Sequence, residues 1–327
     1  MNQRDRVGRA DRESCKKLVA TIGCSTTEQY PDTDLALAAQ KGDGRLIVAE
    51  ALDLMHSARH ELTPPAPGSR RSIRKLLLPF FIHVGTTAMN LRADSAGFWH
   101  VGEGRYWLPR LVFRGTQDDE PPLKLAIFAG LHGDEPAGVH ALIDFLRFME
   151  DHPFLGRAFH LYIYPLCNPT GYEDGTRESR NGKDLNREFW RGSAEPEIAI
   201  LERELSARSF HGIISLHSDD TSDGLYGFVR GATLTEHLLK PALAAAEAAL
   251  PVNEAKIIDG FHAVNGIIHT AYDGILTAPP GTSPAPFEII LESPHHAPLE
   301  LQRHAFVLAL TEIVRQYRRV MSYGADL

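Results

Sequence analysis

Along most of its length the chain alternates between short apolar runs and longer stretches whose apolar positions recur at helical spacing. The run LKLAIFAGL over 123–131 predicts a buried strand, and apolar residues every three or four positions over 136–150 predict a helix after it. A strand is expected over 159–166, a helix over 195–208, a strand over 210–217 (FHGIISLH) and an Ala-rich helix over 234–250. A last strand over 287–291 (FEIIL) and a closing helix over 299–317 complete the series. Strands alternating with helices predict an α/β fold with a mixed, largely parallel central sheet flanked by helices. In open sheets of this kind ligands gather at the carboxyl ends of the strands.

The first 75 residues read differently. A helical stretch over 34–61 precedes the proline-rich break Thr63-Pro64-Pro65-Ala66-Pro67-Gly68. This predicts an N-terminal helical or irregular appendage over 1–75 and a main domain over 76–327. Apolar stretches over 76–84 and 107–113, bounded by glycines, predict strands at the start of that domain, and a turn-rich segment over 115–122 follows. No internal repeat is present.

Composition narrows the class. A chain of 327 residues with 43% hydrophobic and 23% charged residues buries a core without disulfide or metal staples and suits a soluble enzyme. A net charge of −8 argues against nucleic acid or an anionic membrane as partner, both of which favour a basic face. The three cysteines, Cys15, Cys24 and Cys167, have no paired spacing, which points to a reducing compartment. No apolar run reaches the roughly 18 residues that span a bilayer. Thr21-Ile22-Gly23-Cys24 faintly resembles a lipoprotein cleavage site, but the apolar stretch before it is shorter than the roughly 7–15 residues of a secretory signal. Charges also crowd residues 4–17, so a cytoplasmic location is expected.

Candidate chemistry falls at strand ends. His132 and Glu135 follow the strand over 123–131 in the loop His132-Gly133-Asp134-Glu135, with Pro136 suited to the first helical position. An imidazole and a carboxylate here could grip zinc; equally, they could be a solvated loop histidine and a glutamate answering a helix dipole. His217 closes FHGIISLH and, taken alone, fits a hydrogen-bonded core histidine as well as a ligand. Glu292 closes FEIIL, where a carboxylate is costly unless paired or functional. Between these strands lies the Gly-rich polar stretch NPTGYEDGTRESRNGKDLNR over 168–187, too long for an ordinary connection.

Taken in order, His132-Gly133-Asp134-Glu135, Asn168-Pro169-Thr170-Gly171, Gly175-Thr176-Arg177 and Asp184-Leu185-Asn186-Arg187 resemble the signature of the zinc carboxypeptidase (M14) family, with His217 and Glu292 following in the family's order. The resemblance covers roughly 105–320 and is nearer to bacterial murein-peptide amidases and cytosolic carboxypeptidases than to secreted digestive ones. It implies a zinc carboxypeptidase-like fold and one Zn2+ per chain, held by His132, Glu135 and His217. It implies that Glu292 is the general base acting on zinc-bound water and that Arg177 stabilises the oxyanion. Asn186 and Arg187 would hold a substrate carboxylate, Asp184 would orient His132, and Tyr272 would stand over the substrate. Thr170 departs from the aspartate that many members carry there. His295 and His296 are read as a rim or surface pair.

The activity expected from this resemblance is hydrolysis of an amide bond next to a free carboxylate in a short peptide. Two other readings stay open. One is an N-acyl amino acid deacylase of the succinylglutamate desuccinylase/aspartoacylase type, which shares His-Gly-x-Glu and Asp-Leu-Asn-Arg but usually lacks Asn-Pro-x-Gly. The other is a non-catalytic zinc- and carboxylate-binding module, to which Glu292 and Arg177 would be superfluous.

Overall fold

The computed structural model describes residues 70–86, 90–116 and 121–325. The helix expected over 34–61 therefore lies outside the described residues. Helix α1 (Ile73–Thr86) leads into the hairpin β1 (Leu91–Val101) and β2 (Gly104–Arg114). The alternating unit follows as β3 (Leu123–Ala129), α2 (Pro136–Asp151), β4 (Phe159–Tyr164), the short α3 (Pro169–Asp174), α4 (Pro196–Ala207), β5 (Gly212–Asp219) and β6 (Tyr226–Val229). Ala232–Leu234, a π-helical turn Thr235–Leu239 and Lys240–Ala246 run on as α5. Three short strands, β7 (Ile257–Ile258), β8 (Phe261–Val264) and β9 (Ile267–Ile268), precede β10 (Phe287–Pro294) and the closing helix α6 (Leu299–Ala325).

All ten strands form one sheet in the order β1-β2-β4-β3-β5-β10-β6-β9-β8-β7. Its four central strands, β4, β3, β5 and β10, are mutually parallel, while antiparallel pairing brings in β2 on one side and β6 on the other. Parallel strands are buried on both faces, which is why 123–131 and 210–217 read as unbroken apolar runs. Period-two alternation divides them between two cores. Leu125, Ile127, Ile214, Leu216, Ile289 and Leu291 face α2 and α6. Ala126, Phe128 and Ile213 face the opposite way, toward Ile198, Leu201 and Leu205 of α4.

One sequence expectation is corrected here. The run over 76–84 is helical, within α1, and not a strand. Leu76, Leu77, Phe80 and Phe81 are its buried apolar residues, a helical spacing that a continuous apolar run conceals. Ser72 marks the start: its Oγ accepts from the Lys75 amide at 3.2 Å. The division drawn at residue 75 falls inside α1, whose apolar face joins the core of the sheet. The stretch over 107–113 does lie in a strand, β2.

Candidate active site

Three loops and two strands meet above the carboxyl ends of the central sheet. His132 and Glu135 sit in the turn between β3 and α2, which Pro136 opens as a helix. His217 lies in β5 and Glu292 in β10, and the two are register partners across the parallel pair. The 168–187 stretch is ordered by short elements. Asn168, fully buried, caps α3 by accepting from the Gly171 amide at 2.8 Å. Its Nδ2 donates to the carbonyls of Leu131 (3.3 Å) and Arg177 (3.2 Å), tying the loop after β3 to the arginine loop. Gly133 is required by close approach: a Cβ there would lie 2.0 Å from the carbonyl carbon of Gly171.

The ligating atoms of His132, Glu135 and His217 lie within 4.8 Å of one another, and all three residues are buried. His132 Nδ1 is 2.7 Å from Glu135 Oε1 and 3.2 Å from His217 Nδ1; His217 Nδ1 is 3.2 Å from Glu135 Oε2. Two imidazole nitrogens and a carboxylate facing one point repel as lone pairs unless a proton or a cation lies among them. Buried nitrogen and oxygen donors in this set fit a divalent metal site. Glu135 Oε2 is also held by the Ser218 amide at 3.0 Å.

Asp184 braces the cluster. Its Oδ1 lies 3.1 Å from His132 Nε2 and accepts from the Asn186 amide at 2.9 Å, capping the single 3-10 turn Leu185–Arg187. Arg177 spans the two carboxylates, donating from Nε to Asp184 Oδ2 at 3.2 Å and from a terminal nitrogen to Glu135 Oε1 at 3.3 Å. Asn186 Oδ1 accepts from the Leu276 amide at 2.9 Å, so this side chain anchors the 272–276 loop. Arg187 carries Tyr272 over its guanidinium, with Cζ 4.1 Å from the ring centroid. Gly274 allows that approach: at φ +75° it packs on the Arg187 backbone, where a Cβ would meet the carbonyl oxygen at 2.3 Å.

The electrostatics follow from burial against charge. Burial alone would lower the proton affinity of His132, but Glu135 and Asp184 outweigh it and hold the imidazole at about 8. Burial would raise Glu135, yet His132 and His217 hold it far below the carboxylate range. Glu292 goes the other way: burial, then the negative charges of Glu135, Asp219 and Asp259, push its carboxyl well above the ordinary value, and Arg177 only partly offsets them.

Thus the structure gathers His132, Glu135, His217, Arg177, Asp184 and Glu292 into one cluster, with Asn186, Arg187 and Tyr272 beside it. His296 is exposed and its Nε2 meets the Asp220 carbonyl at 2.8 Å. Two carboxylates went unnoticed in the sequence. Asp219 accepts from the Tyr226 hydroxyl at 2.9 Å, and Asp259 accepts from the Tyr272 hydroxyl at 2.9 Å. Asp259-Gly260 forms the two-residue turn between β7 and β8, with φ of 51° and 78°. That Asp-Gly pair between Ile257-Ile258 and Phe261 was the available signal.

Comparison with known proteins agrees with this geometry. Residues 121–258 match the succinylglutamate desuccinylase/aspartoacylase catalytic domain. Over that span the chain is similar to this family. Among solved structures, a protein of Shewanella amazonensis SB2B described as a metallopeptidase is 26% identical, at a TM-score of 0.57 over 69% of this chain and 86% of that one. A similarly described protein of Shewanella baltica OS155 is 24% identical, at 0.58 over 69% and 85%. A metallo-carboxypeptidase of Burkholderia cenocepacia is 17% identical, at 0.58 over 77% and 70%, a likeness of fold. No curated relative matches the sequence. The central α/β sheet with its flanking helices is the fold shared with these solved structures, and His132, Glu135 and His217 form a cluster that could hold a metal ion. Among the described residues no helix is long and apolar enough to cross a membrane.

Proposed function

We propose that the protein is a zinc-dependent amide hydrolase that cleaves next to a free carboxylate, acting as a carboxypeptidase or peptide amidase. One zinc ion is held by His132, Glu135 and His217. The observation that carries this reading is the convergence of those three buried donors beside Glu292, with Arg177 and Arg187 on the same loop. Three protein donors would leave a bound zinc ion room for water or substrate, as in catalytic rather than structural zinc sites. When bound, the ion supplies Lewis-acid polarisation of the scissile carbonyl and acidifies the attacking water.

The chain's own residues supply the rest. Glu292 takes a proton from the attacking water and delivers it to the departing amine nitrogen as the C–N bond breaks, leaving a carboxylic acid and an amine. Arg177 donates to the carbonyl oxygen as negative charge develops. Arg187, with Asn186 beside it, binds the substrate carboxylate through paired N–H donors, and Tyr272 covers that contact. Asp184 accepts from His132 Nε2 and fixes the ring. Cytoplasmic residence goes with this reading, since Cys167 is a buried free thiol.

A second reading, an N-acyl amino acid deacylase, is favoured by the domain match over 121–258. Asn168-Pro169-Thr170-Gly171 favours the peptidase side. The deciding experiment offers zinc-loaded protein two panels: peptides with free or amidated C-termini, and N-acyl amino acids. Turnover of free-carboxylate peptides supports the first reading and turnover of N-acyl amino acids alone the second. Binding without turnover of either means a non-catalytic module.

A further inference from the structure

Arg177 and Asp184 stand at the two ends of one turn. The residues between them, 178–183, are all polar or glycine, so they bring no apolar side chain to pack against a core. The turn closes on itself through backbone bonds. The Ser179 amide donates to the Lys183 carbonyl at 2.8 Å, and the Gly182 amide donates to the Ser179 carbonyl at 2.8 Å. Gly182 takes φ +73°, which a glycine adopts without strain. Arg180 ties one side of the turn to α3, donating from Nε to Asp174 at 2.7 Å and from a terminal nitrogen to Glu173 at 2.8 Å.

The turn also meets α4. Glu195 stands at the start of that helix but does not cap it with its side chain. Its carboxylate crosses to the turn instead. Ser179 Oγ donates to Oε2 at 2.8 Å, and Asn181 Nδ2 donates to Oε1 and Oε2 at 3.2 and 3.3 Å. Glu195 is 6% exposed and Ser179 4%. A buried carboxylate is costly unless its oxygens find donors. These donors belong to the turn, so parting the turn from the helix would strand the carboxylate. The helix itself is fixed, because Ile198, Leu201 and Leu205 belong to the same core as Ala126, Phe128 and Ile213 of the sheet. Thr170 adds to the tie: its Oγ1 accepts from the Arg180 amide at 3.2 Å and lies 3.5 Å from Glu197 Oε1.

We propose that Glu195 is a positioning residue for the reaction: it fastens the 178–183 turn to α4 and thereby sets Arg177 and Asp184. The inference rests on the proposed function, which gives Arg177 the developing oxyanion and Asp184 the ring of His132. The two ends move together, because Arg177 Nε donates to Asp184 Oδ2 at 3.2 Å. A turn released from α4 therefore shifts both, and a displacement of about 1 Å in groups that orient a reaction costs on the order of 10²-fold in rate. Arg187 has anchors of its own. Asn186 Oδ1 accepts from the Leu276 amide at 2.9 Å, and the Phe189 amide donates to the Gly274 carbonyl at 3.0 Å. Loss of Glu195 thus weakens turnover and the grip on metal more than it weakens the carboxylate contact.

The test compares Glu195→Ala and Glu195→Gln with the wild type on the substrates of the two panels, with zinc content measured on the same samples. Glu195→Ala should lower kcat per zinc-loaded site by about ten- to hundredfold while KM moves by less than about threefold. Zinc affinity, read by chelator competition, should fall about tenfold through Asp184 and His132. Glu195→Gln keeps an oxygen that accepts from the turn and should recover most of both losses. The double variant Ser179→Ala/Asn181→Ala breaks the same tie from the other end. It should reproduce the losses and add little to Glu195→Ala, since the three residues act as one unit; it also carries the test if Glu195→Ala does not fold. Ile313→Val, a change in the buried face of α6, is the control for lost stability alone and should leave kcat and zinc affinity as they are. A Glu195→Ala protein that melts earlier but keeps kcat per site and zinc affinity overturns the proposal. If the wild type hydrolyses nothing, the functional reading fails and zinc affinity still reads the placement of Asp184. If it binds no zinc either, hydrogen exchange at the Ser179 and Gly182 amides decides: faster exchange in Glu195→Ala upholds the positioning of the turn, and unchanged exchange removes it.

Discussion

His217 and Glu292 stand side by side as register partners of the parallel strands β5 and β10, one in the metal-binding cluster and the other next to it. This pairing sets a donor and a candidate base on one face of one rigid sheet. If Glu292 is the general base, Glu292→Gln keeps size and polarity but cannot take a proton. General acid–base groups contribute roughly 10²–10⁴-fold, and a loss of kcat in the upper part of that range is expected. Zinc content and substrate affinity should change little. Measured together with the melting temperature, near-normal turnover at full occupancy would remove Glu292 from the mechanism.

The donor set makes its own prediction. Zinc should bind at one ion per chain by elemental analysis, and His132→Ala or His217→Ala should empty the site. Ligand at about a hundred times its Kd stabilises a folded protein by about 2.7 kcal/mol. Adding zinc should therefore raise the melting temperature of the wild type and leave that of either variant unmoved.

Zinc affinity should depend on pH in a stated direction. With the site free, His132 is held at about 8 by Glu135 and Asp184 against burial, so at neutral pH the imidazole carries a proton that the ion must displace. Affinity should then fall as pH drops below about 8 and level off above it. Calorimetry in buffers of different ionisation enthalpy should show proton release on binding at pH 7 and much less at pH 9; release that does not change with pH would contradict the assignment.

Arg187 should act in binding more than in turnover. Hydrogen bonds to a charged group contribute roughly 1.5–3 kcal/mol each, so Arg187→Ala should raise KM by about tenfold or more. It should also erase any preference for free over amidated C-termini. A wild type that cleaves both forms equally well would deny Arg187 this role.

Glu197, near the start of α4, tests the fold rather than the reaction. It is 2% exposed, and burial, with Glu195 adding to it, raises its carboxyl to about 7. Because the folded state holds this proton more tightly than the unfolded chain, stability should fall as pH rises from the ordinary carboxylate range through about 7, then stay level. A shift of this size corresponds to about 2–4 kcal/mol. Glu197→Gln should flatten that part of the curve and be the more stable form at pH 8, as denaturant titrations at pH 5 and pH 8 would report.

Several of these features were legible in the residues themselves. Apolar runs such as 123–131 and 210–217 announce strands buried on both faces, because a parallel sheet covered by helices leaves no polar side. The motifs around His132, Asn168, Arg177 and Asp184 could be recognised because each needs particular residue types: an amide that caps and donates at Asn168, and no side chain at Gly133. The run over 76–84 misled because a continuous apolar stretch has no period, and its helix is set by Ser72 and by which residues the sheet covers. Asp219 and Asp259 were missed for a related reason. Each is an ordinary carboxylate in its own segment, and only the register of β5 on β10, and the folding of the β7–β8 hairpin over the site, gives it neighbours. Local chemistry can be read along the chain, but the proton affinity of Glu292 depends on which charges surround it. Those neighbours come from distant segments, so tertiary packing alone decides them.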